Sequence, residues 1–141
     1  MDTQKSILII EEDLPLKQTL VQIFRREGYQ VISTDISYKA LDLLEEGLFD
    51  LVVLDIKNIH DRGLSLFFRI KRDYPRLPII LLSSGPECGA IPYIDEEDFW
   101  VKMTQPFEPI FLLKTTIELI DASLVRQPSA KRIKQETLPV S

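Results

Sequence analysis

The sequence predicts an α/β protein built on a parallel sheet covered on both faces. Five short apolar runs alternate with stretches of helical periodicity, the pattern of strand–helix–strand crossovers. Two of the runs, FDLVVLD (49–55) and LPIILLSS (77–84), are apolar almost without interruption, as strands buried on both faces are. Hydrophobic residues make up 45% and charged residues 28% of 141 residues, enough apolar content for one folded domain.

Each element has a local reason. SILII (6–10) is a strand-like run that ends in Glu11, Glu12 and Asp13. LPLKQTLVQIFRREG (14–28) spaces Leu16, Leu20, Ile23 and Phe24 as one helix face, with Asp13 as N-cap and Gly28 as the stop. YQVIST (29–34) is β-branched and reads as a strand. SYKALDLLEEG (37–47) opens on a capping Ser37, aligns Ala40, Leu41 and Leu44, and ends on Gly47. After the strand 49–55, GLSLFFRIKRDYP (63–75) is a helix stopped before Pro75, with Phe67 and Phe68 serving core and helix face. GPECGAIPYIDEEDFW (85–100) holds two glycines and two prolines where the next helix is due, so a short or distorted helix is expected. Residues 100–103 suit a last strand. From 107 to 124, Ile110, Leu113, Ile117, Ile120 and Leu124 recur in steps of three and four and are expected to face the core.

Composition excludes several classes. A single cysteine, Cys88, allows no internal disulfide, and a single histidine, His60, makes a zinc site improbable. Both read best as ordinary loop residues, and the acidic run 95–98 as a solvated loop. The net charge of −5 argues against nucleic-acid binding. Apolar runs reach eight residues at most, against roughly 20 for a membrane span, and acid at Glu11 interrupts any secretory leader. A cytoplasmic, non-membrane protein is therefore expected. Residues 1–125 hold 13 basic against 21 acidic side chains, whereas 126–141 hold 4 against 1. The expected organisation is one domain over 1–125 and a basic, flexible tail over 126–141. No phosphate-cradling glycine motif occurs, so nucleotide binding of that kind lacks support, and a flavin-binding relative is a distant reading.

Ligands in open parallel sheets bind at the carboxyl ends of the strands. There the sequence places Glu11 and Glu12, then Asp55, then Ser83 and Ser84, and finally Gln105 with Pro106. Clustered carboxylates repel unless protonated or bridged by a cation. Oxygen ligands without histidine or thiol favour Mg²⁺, Mn²⁺ or Ca²⁺.

The motifs ILIIEED, FDLVVLD, PIILLSS and QPF occur in order, with Glu12, Asp55, Ser83 and Gln105 separated by 43, 28 and 22 residues. In these, residues 5–125 resemble the receiver domain of two-component response regulators. The resemblance implies a flavodoxin-like, doubly wound sheet of order 2-1-3-4-5. It implies Asp55 as phosphoacceptor and Ser83 as the switch hydroxyl. It also implies Mg²⁺ held by Glu11, Glu12, Asp55 and the backbone carbonyl of Lys57. The partner would be a histidine kinase or phosphotransfer protein, and the chain would be a signalling module rather than an enzyme. A homodimer through the 85–125 face is a further expectation from the same source. Too few residues follow the last helix for a DNA-binding or catalytic module, so output is expected through another protein, a dimer or a longer parent chain.

The pattern departs from the family at several positions. Gln105 stands where the family has a lysine, and losing that charge-assisted bond costs about 1.5–3 kcal/mol. Glu12 is one methylene longer than the usual aspartate. Lys102 replaces the switch aromatic and Ile59 the proline after the phosphoacceptor loop. Weak phosphorylation is expected. The alternative is a phosphorylation-independent pseudo-receiver acting through protein contacts.

Overall fold

A computed structural model describes residues 4–36, 38–57, 62–83 and 99–125. Ser37, Ile59, His60, Cys88, the segment 85–98 and the tail 126–141 lie outside the described residues, and with them the expected short helix. In chain order the elements are β1 (Ser6–Ile10), α1 (Leu14–Arg26), β2 (Gln30–Thr34), α2 (Tyr38–Glu46), β3 (Leu51–Ile56), α3 (Arg62–Asp73), β4 (Ile79–Ser83), β5 (Trp100–Thr104) and α4 (Pro109–Val125). The strands form one parallel sheet in the order β2-β1-β3-β4-β5, as expected.

Strand parity builds two cores. Ile7 and Ile9, Leu51 and Val53, Ile80 and Leu82, and Met103 form one sheet face, packed on Leu20 and Phe24 of α1 and on Leu112, Leu119 and Ile120 of α4. The alternate residues Leu8, Ile10, Val52, Leu54, Ile79 and Leu81 pack on Ala40 and Leu44 of α2 and on Leu66, Phe67 and Ile70 of α3. Phe67 meets Trp100 edge-on at 4.7 Å between ring centroids. Every residue of β3 and β4 is buried, which is why both sequences are nearly continuous in apolar side chains.

The helix ends follow the sequence signals. Asp13 caps α1, its Oδ1 accepting from the Leu16 N–H at 3.1 Å. At the other end Tyr29 N–H bonds Phe24 O and Gly28 N–H bonds Arg25 O, at 3.2 and 3.0 Å. Gly28 sits at φ +91°, which completes a Schellman closure.

One expectation fails. In α4 the residues Ile110, Ile117 and Leu124 are 73%, 52% and 56% exposed, and only Ile120 of the predicted stripe is fully buried. The helix buries Leu112, Thr115, Thr116, Leu119 and Ile120 instead. Thr116 can sit on the apolar face because its hydroxyl donates to Leu112 O at 2.9 Å and leaves no polar atom stranded. Apolar periodicity alone does not mark these threonines as buried. Among the described residues, no helix is long and apolar enough to cross a membrane.

A Cβ at Gly28 would meet nothing within 4 Å, so a substitution there is penalised by backbone conformation alone. Gly28→Ala is expected to lower stability by about 1–2 kcal/mol without changing the fold. Urea unfolding followed by circular dichroism measures this, and an unchanged midpoint would contradict the assigned closure.

Candidate functional site

Glu11, Asp55 and Gln105 continue the apolar stripes of a single sheet face, whereas Ser83 follows Ile79 and Leu81 on the other. Ile7 and Ile9 lead to Glu11, Leu51 and Val53 lead to Asp55, and Val101 and Met103 lead to Gln105. Because β1, β3, β4 and β5 are successive neighbours in register, the three stripes end at the same edge of the sheet. Glu11 and Asp55 are 1% and 3% exposed. They are thus buried carboxylates on neighbouring central strands, one residue beyond the Ile10–Leu54 pair and at its next position.

Each is held by specific donors. Glu11 N–H bonds Thr34 O at 2.9 Å, which fixes the chain as it leaves β1. Its Oε1 accepts from Asp13 N–H at 2.8 Å, while Oε2 is buried and meets no donor. A buried carboxylate oxygen without a donor is costly, and a hard cation is the chemistry that satisfies it. Asp55 Oδ1 accepts from the Gln105 side-chain amide at 3.1 Å. The Gln105 backbone N–H bonds Ser83 O at 2.9 Å, and the Gln105–Pro106 peptide is cis. Ser83 is buried at the end of β4, paired in register with Ile56 and Thr104.

The remaining expected residues lie further out. Glu12 is exposed, and its Oε1 faces the Arg62 guanidinium at 3.5 Å. Lys57 directly follows β3 and is exposed. Among the described residues, no three His, Cys, Asp or Glu side chains lie close enough together to hold a metal unaided. Mg²⁺ does not require that, since it commonly uses one or two carboxylates with carbonyl and water oxygens. Glu11 and Asp55 fit such an ion, with the stranded Oε2 as the observation in its favour. Lys102 follows the Trp100 stripe, on the opposite sheet face from Gln105, so alternation does not bring it to the place of the family lysine.

Sequence reasoning missed Arg62. The topology could have indicated it, because a helix following β3 must begin at the same sheet edge as Asp55. An open cleft of about 680 Å³ is lined by residues such as Phe49, Asp50, Leu77 and Pro78. These residues precede β3 and β4, so that cleft sits at the opposite end of the strands from the carboxylates.

Residues 7–98 match the family model described as the response regulator receiver domain. The transcriptional regulatory protein BasR of Escherichia coli is 36% identical over 97 residues, covering 62% of this chain and 44% of that protein. The sporulation initiation phosphotransferase F of Bacillus subtilis is 26% identical over 104 residues, covering 74% of this chain and 84% of that protein. A response regulator protein crystallised in complex with a histidine kinase shares the fold, with TM-score 0.68 and 22% identity over 82% of this chain and 98% of that one. This chain spans half or less of the length of the first curated relatives that it matches.

The stranded Oε2 gives a stability prediction. Glu11→Gln removes one buried charge and is expected to stabilise the magnesium-free protein by about 1–3 kcal/mol in urea unfolding. The gain should shrink in millimolar Mg²⁺. A loss of stability without the ion would mean that the carboxylate is already satisfied.

Proposed function

The chain belongs to the response regulator receiver domain family, and from that premise we propose that it accepts a phosphoryl group on Asp55. The observation that carries this reading is the placement of Asp55, buried at the end of β3 beside Glu11 and touched by Gln105. The donor would be a phosphohistidine of a histidine kinase or phosphotransfer protein. An Asp55 carboxylate oxygen attacks phosphorus, the P–N bond breaks, and the imidazole leaves with its electron pair, giving an acyl phosphate. The phosphotransferase named among the relatives and the kinase-bound structural neighbour support this partner class.

Glu11, Asp55, the Lys57 carbonyl and Glu12 would hold Mg²⁺. The ion, when bound, would neutralise charge on the transferring phosphoryl oxygens. Ser83 would supply a hydroxyl to the phosphoryl group once it is in place. Gln105 orients Asp55 through a neutral amide, where an ammonium would also offset charge. Its neutrality supports slow or incomplete phosphorylation. In this reading the chain is a cytoplasmic phosphoacceptor module spanning 1–125 with a separate basic tail, and it catalyses no reaction on an outside substrate.

Intact-mass measurement after incubation with Mg²⁺ and acetyl phosphate is expected to show one added phosphoryl group, absent in Asp55→Ala. Gln105→Lys is expected to raise the rate or extent of labelling about tenfold to a hundredfold. An unlabelled protein under conditions that label an ordinary receiver would overturn the phosphoacceptor reading and favour a pseudo-receiver.

A further inference from the structure

Glu12 differs from the other two carboxylates. Glu11 and Asp55 are buried, whereas the Glu12 side chain is 46% exposed and faces Arg62. Arg62 opens α3, and its side chain is 82% exposed. Beside it lies a surface cleft of about 370 Å³, lined by Ile36, Tyr38, Leu41, Ser65 and Arg69 together with Arg62 itself. The guanidinium therefore has two places to lie, over Glu12 or back across the α2–α3 cleft. A carboxylate oxygen that serves a guanidinium cannot give the same charge to a second cation without repulsion between the two.

We propose that Arg62 competes with the divalent cation for Glu12. With Arg62 on Glu12, the site offers the buried pair alone. With Arg62 swung into the α2–α3 cleft, Glu12 joins the ligand set. Arg62 thereby sets the metal affinity, and through it the fraction of protein ready for phosphoryl transfer. This inference rests on the metal reading above and concerns a positioning residue, not one that touches the phosphoryl group. An exposed pair of this kind shifts an equilibrium by about two- to fivefold.

The test is calorimetric titration of the full chain with MgCl₂ at constant ionic strength, with no phosphodonor. Arg62→Ala is expected to bind Mg²⁺ about two- to fivefold more tightly than the parent, and Arg62→Lys to fall between them. Arg72→Ala removes the same charge from the same helix, at a residue paired with Asp73 and outside the cleft lining, and is expected to change affinity less than about twofold. In a Glu12→Gln background the Arg62→Ala gain should vanish. The proposal is overturned if Arg62→Ala matches Arg72→Ala, if it weakens binding, or if its gain persists without the Glu12 carboxylate. Absence of saturable binding in every variant would overturn it together with the metal reading, whereas mass labelling of Asp55 would still stand on its own.

Discussion

The structure turns on the burial of two like charges at the ends of adjacent central strands. Glu11 and Asp55 terminate apolar stripes in which every other residue is part of the core. Strand alternation leaves them no route to solvent, because turning outward would carry the whole stripe with it. Their charge must therefore be met locally. Asp13 and Gln105 meet part of it through N–H donors, and one oxygen of Glu11 is left over. Two buried carboxylates side by side have the chemistry to attract a hard cation.

Gln105 decides how strongly. Its amide reaches Asp55 at hydrogen-bond distance. What is missing is a unit of positive charge. Lys57, directly after β3, and Arg62, at the start of α3, are both exposed. Neither is buried beside Asp55, where a charge would act with little screening. In the proposed reading, position 105 therefore gives phosphoryl transfer less electrostatic help than the family pattern provides.

Much of this was legible in the sequence, because local signals and global fold agree. Five apolar runs, the Asp13 cap, the Gly28 stop and the acids at two strand ends each state one constraint, and the parallel sheet satisfies all of them. The helix 109–125 was misread for a definable reason. It is apolar around most of its circumference, so two stripes compete. The buried one includes Thr115 and Thr116, and the polarity of Thr116 is cancelled by a bond visible only in three dimensions. Arg62 was missed for another reason, since its partner Glu12 lies fifty residues away and only the topology, not a local pattern, joins them. The spacing of Glu12 suited a ligand as well as a surface acid, and only its exposure separates it from Glu11.

The most direct test of the account is the identity of the modified residue. The protein labelled with acetyl phosphate in Mg²⁺ would be reduced with borohydride, which converts an acyl phosphate to the corresponding alcohol, and then mapped by peptide mass spectrometry. The account predicts homoserine at position 55 and unmodified side chains at Glu11, Glu12 and Asp13. Reduction at any of those three with Asp55 intact, or at no residue, would contradict it.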